Sequence, residues 1–291
     1  MSLDPLKILV VGDAILDRYL IGRWAKPNPE APDGMVFAVE RTEDRLGGAA
    51  AVAMIARHLP CQAEPHVTLI CGLGTFHGSS IKELAFKAGV EVVDSPLCGD
   101  NALKTRLRDL DTGRVHRDRI DRDPAPGQGL TEWRASLLGA YAVTKGGWGA
   151  VLVADYGKGG VTAPLIDALS QLPRSVPVIV DPARARPWSD YPEWWVVKAN
   201  WVEWDNGRLD DGRRNYIVTH GPQPIQARID GRAYSVTPPT IDHVVDVTGA
   251  GDSVLAALGV AIAQGKGWQE ALEYAAAAGA RQCQQVGVGT V

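Results

Sequence analysis

Residues 246–252 read Asp-Val-Thr-Gly-Ala-Gly-Asp and run straight into an apolar stretch that continues to Gly265. Small residues at the mouth of a helix leave main-chain N–H groups uncovered, and those amides together with the helix dipole make an anion site. Glycine suits the place because a side chain would block the anion's approach. Asp252 then has two readings. It caps the helix, or it stands where protein meets cavity and takes a proton, because the helix behind it is apolar on most faces.

Other polar residues follow apolar runs in the same way. Asp13 comes after KILVVG, Asp155 after AVLVA, Asp181 after VPVIV, and Asn200 and Glu203 after WWVVKA. A single carboxylate at such a place is an ordinary loop residue or cap. Several on one rim mark a site, since ligands of open parallel sheets bind beyond the carboxyl ends of the strands.

The runs themselves, with VTLIC at 67–71 and YIVT at 216–219, are short, continuous and rich in β-branched residues, as strands buried on both faces are. Between them, residues 47–59, 79–89, 131–145, 162–172, 252–264 and 269–283 carry apolar residues at helical spacing. This alternation predicts an α/β fold with a mostly parallel sheet and helices on both faces. Residues 18–46 and 98–122 break it: they are polar and extended in pattern, with Pro27, Pro29 and Pro32 in the first and the turn DTGR in the second. They read as a small strand-built flap beside the sheet.

Composition narrows the function. A net charge of −4 and the absence of an uninterrupted basic run exclude a nucleic-acid-tracking stripe. The densest basic stretch, residues 104–123, is interleaved with aspartates and reads as a charge-alternating hairpin. No apolar run is long enough to span a bilayer, and the first residues lack the pattern of a signal peptide, so no membrane partner and a cytoplasmic location are expected. Cys61, Cys71, Cys98 and Cys283 show no C-x-x-C spacing and read as reduced, packed thiols. Two other phosphate signatures fail. GRLDDGRR at 207–214 has arginine where a Walker loop needs lysine, and CGLGTFHG at 71–78 places its third glycine one residue late for a dinucleotide fingerprint.

DVTGAGD with its apolar helix resembles the C-terminal signature of the ribokinase-like, pfkB-type sugar kinases. RLGGAAAVAMIARHL is similar to their N-terminal glycine-pair signature, and KANWVE to their N-x-x-E element. VVGDAILDRYLIG, NPEAPDGMVFAV, ADYGKGGV, VDPAR and GVGTV further resemble the bacterial heptose-7-phosphate kinases of that family. The resemblance implies one domain over residues 1–291: a three-layer αβα sandwich with a β-strand lid from about 18–46 and 98–122. It implies ATP and Mg2+ as cofactors and transfer of the γ-phosphoryl group to a hydroxyl of a sugar or sugar phosphate. Asp252 would be the general base, and the amides of Gly249, Ala250 and Gly251 would hold the moving phosphoryl.

Carried over in the same way, Glu203 with Asn200 would organise magnesium through water, and Thr219, Gly221 and Thr248 would lie on the nucleotide side. Asp13 would grip sugar hydroxyls, with Asp17, Gly47, Gly48 and Asp155 on the sugar side. Lys104, Arg106 and Lys158 would meet a phosphate already on the sugar. Relatives clasp lids, so a homodimer through the lid, with Trp24 and Phe37 in the contact, is also implied. Three departures keep other readings open. Ala51 replaces an asparagine that bonds the sugar, the 201–215 connection is short, and Pro224 stands where a glycine is usual. They leave room for a binding protein with little turnover, or for a kinase of another sugar or of a nucleoside.

Overall fold

A computed structural model describes residues 6–205 and 214–288. Its larger sheet collects β1 (Lys7–Gly12), β4 (His66–Leu73), β5 (Glu91–Pro96), β8 (Ala150–Ala154), β9 (Val178–Asp181), β10 (Val196–Asn200), β11 (Asn215–His220), β12 (Gln223–Ile229) and β13 (Arg232–Val236). The spatial order is β13-β12-β11-β10-β9-β8-β1-β4-β5, parallel from β11 to β5 and antiparallel at the β12 and β13 edge.

Each face of this sheet carries helices. On one side lie α1 (Ala49–His58), α2 (Gly78–Lys87), α6 (Ala250–Ala263) and α7 (Trp268–Gln282), packed over Ile8, Val10, Leu69 and Leu152. On the other lie α3 (Glu132–Lys145) and α4 (Ala163–Leu169), over Leu9, Val11, Val151 and Val153. Successive strand residues therefore face opposite helix layers, and both must be apolar, which is why these strands show no polar alternation. The three-layer αβα expectation holds.

The smaller sheet has the order β3-β2-β6-β7, built from β2 (Ala14–Asn28), β3 (Ala31–Gly48), β6 (Leu103–Asp109) and β7 (Val115–Arg122). Its first hairpin starts four residues earlier than the composition suggested, directly after Asp13, so Asp17, Gly47 and Gly48 belong to its root. At Gly48 the chain turns from β3 into α1 with φ of 58°, and a Cβ would stand 2.4 Å from the Asp13 carbonyl oxygen. Only glycine meets both conditions. Ala51 sits in the second half-turn of α1, fully buried.

Two features were not legible in advance. The hairpin of β12 and β13 follows a two-residue turn at Gly221 and Pro222, and Pro224 lies inside β12 rather than in a nucleotide loop. The short connection after β10 opens with α5 (Trp201–Asp205), and its residues 206–213 lie outside the described residues. Cys98 is exposed, against the expectation of packed thiols, whereas Cys71 is buried.

Candidate active site

Chain order reverses direction across the sheet between β1 and β8, and at that switch point the carboxyl ends of the two strands carry Asp13 and Asp155. Both side chains are buried, and both are consumed by the loop they sit beside. Asp13 accepts the amides of Tyr156 (2.8 Å), Lys158 (3.1 Å) and Gly160 (2.6 Å). Burial first, and then repulsion from Asp155, push its carboxyl up to about 6 in spite of those amides. Asp155 accepts the Gly157 amide at 2.8 Å and the Tyr191 hydroxyl at 2.8 Å, and pairs with Arg186 at 2.9 Å. Its side chain is wholly inaccessible and is spent on Gly157, Tyr191 and Arg186. Asp13 likewise serves the 156–160 loop before any sugar.

What that loop presents is Tyr156. Its hydroxyl donates to Oδ1 of Asp252, in the first turn of α6, and the Lys104 ammonium lies 5.1 Å from its ring centre. Asp252 is 9% exposed, and no described residue donates to its Oδ2. Burial raises its pKa above the ordinary carboxylate value, opposed by the Tyr156 hydrogen bond and by Lys198 and Lys104. A carboxylate so placed is a better base than one in water.

Helix α6 begins at Gly249, which has φ of 78° and no side-chain cap. A Cβ there would also meet Val288 at 2.9 Å. The Ala250 amide donates to Val247 O at 3.2 Å inside the turn, so of the expected trio it is the one already engaged. The Gly251 and Asp252 amides have no acceptor among the described residues. Asp246 braces the turn from outside, accepting the amides of Thr248 (2.9 Å) and Gly287 (2.9 Å). Thr248 contributes its carbonyl to Gln282 Nε2 at 3.1 Å.

Directly behind the turn stands Lys198, 3% exposed, paired with Asp181 at 2.6 Å. A methyl group on Gly251 would lie 3.0 Å from its Nζ. Burial would depress the ammonium, but Asp181, Asp252 and Glu203 outweigh it and hold Lys198 charged. Burial dominates at Asp181, pushed up to about 6 even beside the lysine. The Gly251 and Asp252 amides and the Lys198 ammonium thus gather at the same helix entrance as the Asp252 carboxylate.

Asn200 and Glu203 face each other across the start of α5. The Asn200 amide donates to Glu203 Oε2 and the Glu203 amide to Asn200 Oδ1, both at 3.0 Å. This is a reciprocal capping box, which supplies a local physical reason for the N-x-x-E spacing. The other Glu203 oxygen accepts Arg184 Nε at 3.3 Å. Both residues line a cavity of about 490 Å3 with Arg184, Trp201, Val202, Thr219, His220 and Gly221. Thr219 bonds Ala199 O at 3.4 Å, and the Trp201 indole stacks on His220 with centroids 4.9 Å apart.

Over the opposite side hangs the small sheet. Strand pairing sets Asp17 beside Lys104, and Lys104 beside Asp121; one step on, Tyr19, Arg106 and Arg119 stand in a row. Asp17 Oδ1 and Arg106 Nε are buried without a hydrogen-bond partner among the described residues, 3.7 Å separating Asp17 from the Arg106 guanidinium. Burial raises the Asp17 pKa, with Arg106 and Lys104 opposing. Lys158 is paired with Asp123 at 2.6 Å.

The chain resembles known proteins in sequence and in fold. The profile described as pfkB family carbohydrate kinase matches residues 193–291. The D-beta-D-heptose 7-phosphate kinase of Bordetella bronchiseptica is 32% identical over 98% of this chain and 93% of its own length. This chain belongs to the pfkB family of carbohydrate kinases. A bifunctional protein HldE from Nitrosococcus oceani is 31% identical over 91% of the kinase, which spans 58% of that longer relative. Among solved structures, ribokinase from Thermotoga maritima superposes with a TM-score of 0.69 at 16% identity, covering 97% of the kinase and 93% of that chain. Phosphofructokinase-2 from Escherichia coli with fructose-6-phosphate gives 0.73 at 18%, covering 97% and 94%. Both carry the same fold.

Sequence reasoning missed three residues of the candidate site. Tyr156 and Lys198 lay inside the stretches ADYGKGGV and KANWVE without a role, and Arg119 was lost in the alternating hairpin. A buried lysine inside an otherwise apolar strand, VVKAN, was the signal that could have found Lys198.

Proposed function

We propose that the kinase transfers the γ-phosphoryl group of ATP to a hydroxyl of a phosphorylated sugar of the heptose phosphate class, which its Bordetella relative's name specifies. The observation that carries the reading is Asp252 itself. A buried carboxylate whose Oδ2 takes no hydrogen bond from a described residue stands beside helix-terminal amides with no acceptor among the described residues and a buried ammonium, so one group removes the acceptor's proton where two others meet the incoming charge. Phosphoryl transfer asks for little more than this positioning and charge stabilisation.

In this reading the strands at 14–48 and 103–122 act as a lid within a single domain, and the acceptor lies beneath them. Asp17 takes a sugar hydroxyl on Oδ1, which lies 3.7 Å from the Arg106 guanidinium and has no hydrogen-bond partner among the described residues. Arg106, with Lys104 and Arg119, takes the acceptor's phosphate: the three cations gather on paired strands, Arg119 is already forked onto Asp121 at 2.6 Å, and Arg106 Nε, without a hydrogen-bond partner among the described residues, is the donor left for an anion. ATP occupies the cavity lined by Thr219 and Gly221. The donor set suits magnesium held through water, since Glu203 keeps spare lone pairs on oxygens already used by Asn200 and Arg184. Among the described residues no cluster of three acidic or histidine ligands exists to bind it directly. Magnesium there would neutralise charge between the outer phosphates. Exposed Trp24, Met35 and Val39 on the lid support a homodimer, and a cytoplasmic location belongs to the same reading.

ADP release measured across neutral sugars and sugar phosphates tests the proposal. Turnover confined to phosphorylated acceptors is expected, and no release above background with any of them would remove it. Arg106→Gln refines the test. It keeps donors beside Asp17 but loses the charge, so the KM for a phosphorylated acceptor rises about tenfold with the KM for ATP unchanged. An equal rise for neutral sugars would take the phosphate away from Arg106.

A further inference from the structure

The 155–160 loop consumes two buried carboxylates, and its geometry has one product: the Tyr156 hydroxyl fixed on Oδ1 of Asp252. Asp13 holds the Tyr156 amide itself, together with those of Lys158 and Gly160, and Asp155 holds Gly157. Arg186 and Tyr191 lock Asp155 in turn. The Tyr156 ring is covered by the Lys104 ammonium of β6. So rigid a mounting exceeds what a connecting loop requires.

We infer that Tyr156 is a positioning residue for the phosphoryl-transfer step, its hydroxyl holding Oδ1 of Asp252 so that Oδ2 alone faces the acceptor and receives its proton. The inference rests on the proposed reaction. In that step the acceptor O–H bond breaks, its proton goes to Oδ2, and the freed electron pair forms the new bond to phosphorus as the bond to the leaving ADP oxygen breaks. Tyr156 keeps its own proton throughout, because burial, and then the neighbouring Asp252 charge, hold the phenol well above its ordinary value. A donor on Oδ1 has a second effect. Asp252 is desolvated, and faces Lys198 from β10, Lys104 from β6, Asp17 from β2 and Asp181 from β9. Among these, the Tyr156 hydrogen bond is the foremost influence favouring the ionised base.

Tyr156→Phe tests this, since the ring and its burial are kept and only the hydroxyl goes. The measurement is kcat/KM against pH for wild type, Tyr156→Phe and Asp252→Asn, with melting temperatures of all three. The sign follows from the lost donor: the Asp252 pKa climbs further, so the acid limb moves to higher pH by about one unit. The loss is then about tenfold on the acid side and disappears well above the limb, where Asp252 is ionised in both proteins. Asp252→Asn stays at its low residual rate at every pH and shows no acid limb. An unshifted limb, whether at full rate or with one constant loss at all pH values, would overturn the inference while leaving the kinase reading intact. A wild-type enzyme inert toward every acceptor would remove the reading and the inference together.

Discussion

Asp252→Asn yields a folded protein whose kcat is lower by about 10²–10⁴, with KM values for ATP and acceptor close to those of wild type. Asparagine keeps the shape and, at Oδ1, an acceptor for the Tyr156 hydroxyl. It removes the negative charge and the basic oxygen left to take the acceptor's proton. Because a proton is transferred only on the way to the transition state, the loss falls on kcat and not on binding. Stability is expected to hold or rise, since a carboxylate whose ionisation burial opposes is replaced by a neutral amide. The helix-cap reading of Asp252 makes the opposite forecast. An acidic residue in the first turn is worth about 0.3–1 kcal/mol through the helix dipole, so that reading predicts a small loss in melting temperature and unchanged turnover. Steady-state kinetics and a thermal melt on one variant therefore separate the two.

How much of this site was readable in advance depended on whether a residue's role is local. The α6 entrance was legible because Gly249, Gly251 and Asp252 act through backbone geometry that neighbouring residues fix among themselves. The same holds for Asn200 and Glu203, whose spacing by three is what a capping box needs. The strands were legible because burial on both faces leaves a continuous apolar run, as in β1 and β8. The hairpin of β12 and β13 was not: the alternating run from Ile225 to Ile229 is only five residues long, and Pro222 and Pro224 stand at its start.

Long-range roles escaped for a different reason. Asp13 and Asp155 look like ligands in sequence because they end strands at the switch point, yet what they bind is the amide set of a loop some 140 residues from Asp13. Nothing local distinguishes a carboxylate that grips substrate from one that grips a loop. The Arg106 and Arg119 juxtaposition likewise requires the β6 to β7 register, in which a bulge after Arg106 shifts the pairing. Tyr156 acquires its role only because the β8 loop and the α6 entrance meet, 96 positions apart.

Lys198→Met carries the second large effect, and it separates two contributions of one residue. The variant loses the ammonium beside Gly251, so the charge gathered by the incoming phosphoryl group meets only amides, and kcat falls by about 10²–10³. It also strands Asp181, whose carboxylate has Lys198 as its closest partner at 2.6 Å, and removal of one member of a buried pair costs about 3 kcal/mol of stability. A fall in activity alone would therefore be ambiguous. The double variant Lys198→Met with Asp181→Asn resolves it, because the stranded charge is gone. Denaturant unfolding should recover most of the lost stability in the double variant, while kcat should remain as low as in the single one. If turnover returned along with stability, Lys198 would be a packing partner of Asp181 and the cradle would work through its amides alone. If neither returned, the pair would be holding β9 and β10 in place, and the effect on the phosphoryl site would be indirect. A Cβ on Gly251 would lie 3.0 Å from Nζ, which favours a lasting loss of turnover, since a lysine needed only for Asp181 has no reason to reach the helix entrance.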